Sequence, residues 1–324
     1  MTHRRPRVAH ARQAALAGLA ALAIGGCGEI TNTITAPPGT ADRITVVLAG
    51  APNAFDAGLY EAQRLGLFAQ SDLQVRILTR GGGADPLTLV HDRRALIGLA
   101  SEPNVLLHRN LDEPLVSVAA ILHSPLATIR IPVPKPGPSG GAPLGTTTRP
   151  ATTTTTGRPR RGRHRVTTAR TTTTRAPTTT TLTDPVSTRW PAQLQRLLNR
   201  PGHPTYDGLV VVVRQETIVE QAPLIRRFVQ ALARGYRAVR ADPRRAIRDL
   251  ISANPALAPE RALESAALRA ALPRIFPPGL PVWGYQDATR WNAFGSWLTL
   301  HHLLANPNAI ADASTNELLA GQGV

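Results

Sequence analysis

From residue 43 onward the apolar side chains follow two periods in turn. Ile44-Thr45-Val46-Val47-Leu48 is a short, nearly continuous apolar run of the kind a buried strand needs. Ala57 to Leu65 has helical spacing, and Leu73 to Leu78 alternates apolar with polar residues as a second strand. After the Gly81-Gly82-Gly83 turn, Asp85 is placed to cap a helix running through His91, with Pro86 in the first position, where a missing amide costs nothing. A strand over Ala95 to Ala100, a helix over Glu102 to Asn110 and a strand over Val116 to Leu122 follow. Strands alternating with helices at this spacing predict an α/β lobe, a mostly parallel sheet with helices on both faces.

The pattern stops between Pro132 and Thr188. Residues 146 to 183 hold nineteen threonines in thirty-eight positions, interrupted by the run Arg158 to Arg165, with almost no large apolar side chains. Such a stretch buries too little surface to offset its ordering entropy, so residues 132–200 are read as a disordered Thr/Pro/Arg-rich insertion, with Trp190 to Leu198 a short helix inside it. Order resumes at Leu209-Val210-Val211-Val212-Val213, a buried strand, and residues 201–324 are then mainly helical. The predicted helices are Ala222 to Arg240, Arg244 to Ser252, Pro259 to Leu272 and a Trp-rich one from Tyr285 to Leu304, stopping near Asn306-Pro307.

Charge changes the picture less than its total implies. The 37 Lys+Arg and 21 Asp+Glu give +16, a balance that points to nucleic acid when spread over a fold. Here residues 130–200 alone carry thirteen basic residues against one acid, Asp184, and the blocks on either side are near neutral. No nucleic-acid partner is expected. Lys135 is the only lysine, which excludes most lysine-based catalysis, and no His/Cys/Asp/Glu group has metal-ligand spacing. Neither a metal nor a cofactor is expected.

The N-terminus reads as an export signal. Arg4, Arg5, Arg7 and Arg12 precede an apolar run, Ala14 to Ile24, too short to span a bilayer. Leu22-Ala23-Ile24-Gly25-Gly26-Cys27 resembles the bacterial lipobox, in which a cysteine sulfur is diacylated and becomes the new N-terminus. That explains one thiol without a partner, and paired acyl chains anchor a protein stably. The other reading is an ordinary secreted protein with a leftover thiol. Residues 1–26 are thus a lipoprotein signal peptide, 27–42 a tether and 43–131 the first folded block, in an extracytoplasmic protein anchored to the cell membrane through Cys27.

Leu48-Ala49-Gly50-Ala51-Pro52-Asn53 with Gly58-Leu59-Tyr60, then Glu61 to Phe68, Ala95 to Pro103 and Pro114 to Ala120, form one distinctive stretch. Pro204-Thr205-Tyr206, Phe228 to Tyr236, Ala241-Asp242-Pro243 and Trp291 to Trp297 form another. The two stretches resemble the substrate-binding proteins of ABC importers, in the branch related to pyrimidine-synthesis proteins (NMT1/THI5-like), with sulfonate and nitrate binders (SsuA-like) as cousins; the first segment is similar to that family's first strand, loop and helix. The resemblance implies a periplasmic-binding-protein type II-like lobe built from residues 43–131 and 201–324, its second lobe largely missing and its C-terminal part helical. It also implies a monomeric receptor, not an enzyme, that hands a small heteroaromatic or anionic nutrient to an ABC permease, a thiamine pyrimidine precursor being favoured. Ala49-Gly50 and Asp56 stand where those binders carry Asp-Trp and His.

By position at the strand ends, the ligand candidates are Asn53 and Phe55, Asp85, Ser101 and Glu102, and His123. The Asn53 amide and Ser101 hydroxyl supply hydrogen bonds, Glu102 an acceptor for an amine, and Phe55 a stacking face. Each has a plainer reading: Asn53 stabilises a turn, Ser101 or Glu102 caps a helix, and His123 is a surface residue. Two other readings concern the tract. One is a wall-associated structural lipoprotein whose basic Thr-rich segment binds anionic cell-wall polymer; the other is a second-lobe coding region translated out of frame.

Overall fold

A computed structural model describes residues 41–79, 85–132, 179–181 and 190–321. The signal peptide, Cys27, almost all of the tether, Gly81 to Gly83 and most of the Thr/Arg tract lie outside these residues. Five strands make the main sheet: β1 (Asp42–Val47), β2 (Leu73–Leu78), β3 (Ile97–Ala100), β4 (Leu115–Leu122) and β7 (Leu209–Arg214), in the order β2-β1-β3-β7-β4. The pairs β1/β2 and β1/β3 are parallel, whereas β7 lies antiparallel between β3 and β4. Four strands therefore run one way and the late-arriving fifth runs against them. A short antiparallel ribbon, β5 (Arg130–Pro132) with β6 (Thr179–Thr181), pairs Pro132 with Thr179 across the tract.

The valine run of β7 is apolar throughout because both faces of the sheet are covered. Leu209, Val211 and Val213 join one core with α1 (Ala57–Arg64), α5 (Gln215–Ala241), α6 (Pro243–Ala253) and α7 (Arg261–Ile275). Val210 and Val212 join the other, with α2 (Pro86–His91), α3 (Glu102–Arg109), α4 (Ala192–Leu198) and α8 (Ala288–Leu300). On the first face α1 and α5 cross at contact distance. A Cβ on Gly235 would stand 2.3 Å from the Gly58 carbonyl oxygen, and one on Gly58 would stand 2.4 Å from the Tyr236 ring. At the β4 edge, Ser117 N–H donates to Ala313 O and Ser117 O accepts from Thr315 N–H, both at 2.9 Å. The C-terminal segment thus covers an edge that would otherwise invite another strand.

Two helices differ from the sequence expectation. The chain turns helical at Gln215 rather than Ala222, with a break at Gln221 (φ −134°). Pro223 accounts for the break: it has no amide to offer Val219 O and its ring crowds that carbonyl. The last helix ends at Leu300, six residues before Asn306. His302 takes a left-handed φ of 56°, its amide donates to Thr299 O and that of Leu303 to Leu298 O, a closing motif usually made with glycine.

Candidate functional site

The reversed direction of β7 is what assembles the site. Ser101 and Glu102 follow the end of β3 and His123 follows the end of β4, while β7 begins at that same edge, which brings Asp207 between them. Glu102 and Asp207 exchange bonds: Glu102 N–H donates to Asp207 O at 3.0 Å, and Asp207 N–H donates to Glu102 Oε2 at 2.8 Å. Gly208 makes this approach possible, since a Cβ there would lie 2.3 Å from Ser124 O.

Asp207 is the hub. Its Oδ2 accepts from Trp291 Nε1 at 3.1 Å, and its Oδ1 lies 3.5 Å from His123 Nδ1 and 3.6 Å from Arg290 Nη2. Arg290 Nη2 also donates to His123 O at 3.1 Å. Burial, reinforced by the Asp207 charge, drives the Glu102 carboxyl well above its ordinary value, against the opposing Asp207 amide and Arg290 charge. Burial thus favours the protonated form of Glu102, which donates as well as accepts. Glu102 Oε1, Asp207 Oδ1, His123 Nε2, Ser124 Oγ and Arg290 Nε are all buried without a hydrogen-bond partner. Buried polar atoms rarely stay without hydrogen bonds in a core, so five of them in one cluster single it out as a candidate site.

Beside this cluster, Ser101 Oγ donates to Asn104 Oδ1 at 3.4 Å, and Trp190 Nε1 donates to the same oxygen. The Ser101 side chain makes no cap to α3, and Glu102 spends an oxygen on Asp207 rather than on its own helix. Asn104 and Trp190 also wall a cavity of about 310 Å³ with Asp85, Leu107, His108 and Leu303. Asp85 caps α2 through Leu87 N at 2.8 Å and faces His108. Cavities of a few hundred cubic ångströms with a few convergent polar groups are the usual form of small-molecule sites.

The loop after β1 is built differently. Asn53 Oδ1 accepts from Phe55 N–H at 2.9 Å, and Asp56 Oδ2 accepts from Asn53 N–H at 3.0 Å, a reciprocal cap on a single helical turn. The Phe55 ring is buried in the larger core and its carbonyl accepts from Tyr236 Oη at 2.6 Å. Asn53 and Phe55 therefore stand apart from the Glu102–Asp207 cluster, with Phe55 offering no open face. Burial, with the Glu264 charge adding to it and the Asn53 amide opposing, raises the Asp56 carboxyl to about 7.

Sequence reasoning reached Ser101, Glu102 and His123 but not Asp207, Asn104 or Arg290. The signal for Asp207 was present: an acid separated by one glycine from the apolar run Leu209 to Val213.

The NMT1/THI5-like family model matches residues 53–133 and 196–246. Over these two blocks the chain is similar to the NMT1/THI5-like family. The two matched blocks contain Ser101, Glu102, His123 and Asp207, and they flank the Thr/Arg tract. A formylaminopyrimidine-binding protein of Halalkalibacterium halodurans is 27% identical over 297 residues, covering 84% of this chain and 89% of the relative. Among solved structures, a protein of Bordetella bronchiseptica RB50 aligns with TM-score 0.50 at 15% identity, covering 85% of this chain and 95% of the other. The alkanesulfonate-binding protein SsuA of Xanthomonas axonopodis pv. citri, bound to MOPS, aligns with TM-score 0.48 at 12% identity over 85% and 98% of the two chains. The α/β lobe thus shares its fold with the Bordetella protein. Among the described residues no helix is long and apolar enough to cross a membrane.

Proposed function

We propose that this protein is the extracytoplasmic solute-binding component of an ABC importer, held at the membrane through Cys27 and taking a small amino-substituted heteroaromatic related to the thiamine pyrimidine. The observation that carries this is the buried set Glu102 Oε1, Asp207 Oδ1 and His123 Nε2, none with a hydrogen-bond partner, although Asp207 Oδ1 keeps ion contacts to His123 and Arg290. A ring nitrogen beside an exocyclic amine offers one acceptor and one donor, which Glu102 in its protonated form beside Asp207 answers in kind. An anionic sulfonate meets the Asp207 charge instead and is disfavoured. The name of the Halalkalibacterium relative supports the same ligand class. As a receptor the chain needs no catalytic group.

The test is a thermal-shift and calorimetric titration with formylaminopyrimidine and an alkanesulfonate in parallel. A ligand that binds only the folded state raises the midpoint by mass action. A charge-assisted bond is worth about 1.5–3 kcal/mol, so Asp207→Asn weakens binding by roughly 10- to 150-fold while Leu300→Ala, on the surface, does not. A wild-type midpoint indifferent to millimolar formylaminopyrimidine, or an Asp207→Asn variant of unchanged affinity, overturns the reading.

A further inference from the structure

His108, on α3, is held between two carboxylates in an arrangement that only one protonation state satisfies. Its Nε2 lies 3.3 Å from Asp85 Oδ1 and its Nδ1 lies 2.6 Å from Glu113 Oε2. A neutral imidazole has a single N–H, so it donates to one of these oxygens and sets a ring lone pair against the other. The imidazolium donates to both. The three side chains are 15%, 15% and 19% exposed, so water replaces neither bond cheaply.

The charged groups nearby are engaged elsewhere. Arg109, the next residue on α3, gives its guanidinium to the carbonyls of Leu115, Asn308, Ala309 and Ala311. Asp112 accepts from Asn306 Nδ2 at 2.6 Å. Trp190, Pro191 and Leu303, which close the cavity on its other sides, have no titratable group. Among the described residues, Asp85 and Glu113 are thus the charges that face the ring. Burial favours the neutral ring, but the hydrogen bonds and charges of Asp85 and Glu113 outweigh it, and the imidazole rises above its ordinary value.

We propose that His108 is a positioning residue: its imidazolium ties Asp85, at the wall of the cavity and the start of α2, to Glu113 at the turn into β4, and the tie is lost in alkaline solution. The tie itself stands on the contacts; its consequence for solute rests on the proposed receptor function. A histidine raised in the folded state adds stability that is fully present below its ordinary value of 6.5 and disappears as pH rises through the folded value.

Proton NMR of the imidazole signals and urea denaturation, both on the full chain between pH 5.5 and 8.5, test this. The resonance missing from His108→Gln titrates with a midpoint above 6.5 in the wild type and at a lower pH in Glu113→Gln, which needs no His108 variant to fold. Relative to His108→Gln, the wild type holds a larger folding equilibrium constant at pH 5.5, and the excess shrinks as pH rises through the folded value. A midpoint at or below 6.5, or a pH-independent excess, overturns the tie. The formylaminopyrimidine shift, followed over the same range, falls with pH in the wild type and not in His108→Gln. A shift present but flat with pH overturns the positioning role. No shift at any pH refutes the receptor reading, and the role with it, while the NMR result still decides the tie.

Discussion

Asp56 offers the sharpest energetic test of the fold that carries the site. Its side chain is 3% exposed, and it closes the turn after β1 by accepting from Asn53 N–H. Burial, aided by Glu264, raises it from 3.8 to about 7 in the folded chain. The sign follows from linkage: an acid raised on folding keeps its proton in the folded state while the unfolded chain releases it, so stability falls as pH climbs from the lower value to the higher. The gap of roughly three units, at 1.36 kcal/mol each, is about 4 kcal/mol once the group is fully ionised. Asparagine keeps the oxygen that accepts from Asn53 and never ionises. Between pH 5 and 8, Asp56→Asn should therefore gain about 3 kcal/mol relative to the wild type, with most of the gain reached by pH 7. Urea denaturation followed by tryptophan emission suits this, because Trp283 stacks on Tyr236 with ring centroids 5.0 Å apart in the same core. Two stability curves that run parallel within 1 kcal/mol across this range would sink the argument, since the difference isolates Asp56 from every other titrating group.

Two further outcomes follow from the packing and the ribbon. Gly235→Ala should destabilise by roughly 2–4 kcal/mol, because its methyl meets the Gly58 carbonyl oxygen and neither helix can yield without moving the other; a midpoint unchanged on thermal denaturation contradicts the crossing. Replacing residues 133–178 with Asn-Gly should leave a cooperatively folding chain, stabler by about 2 kcal/mol, because Pro132 and Thr179 are already paired and the shorter loop costs less to close; loss of the cooperative transition would make the tract part of the fold.

Local features of this chain were legible where the physics is local. Asp85-Pro86 announces the start of α2, the alternation of Leu73 to Leu78 gives β2 its bounds, and the valine run reports a strand covered on both faces. The helix end at Leu300 was not legible, because the left-handed closing residue is His302, which carries no glycine-like signal. Trp291 reads as core and is core, yet its indole N–H also holds Asp207; burial and recognition are one placement there. Asp207 itself meets Glu102 across 105 positions, and no periodicity speaks over that distance. Only the antiparallel entry of β7 decides it.

That entry also orders how the site comes into being. β3 and β4 can pair with nothing of each other until β7 arrives between them, since the order β3-β7-β4 leaves no direct contact in the ladder. Glu102 and His123 are therefore separate groups until the chain has passed the tract and returned. If β7 slipped by one residue, its inward set Leu209, Val211 and Val213 would exchange faces with Val210 and Val212, and Asp207 would leave the cluster. An all-valine centre tolerates such a slip poorly at its ends but hardly resists it in its middle. The register is pinned instead by polar terms at the edge: Gly208 N–H to Leu122 O at 2.8 Å, and the exchanged pair between Glu102 and Asp207. The residues proposed to recognise solute are thus also those that fix the central strand. Substituting Asp207 by alanine should cost stability together with affinity, whereas asparagine, which keeps the shape and an acceptor, should separate the two.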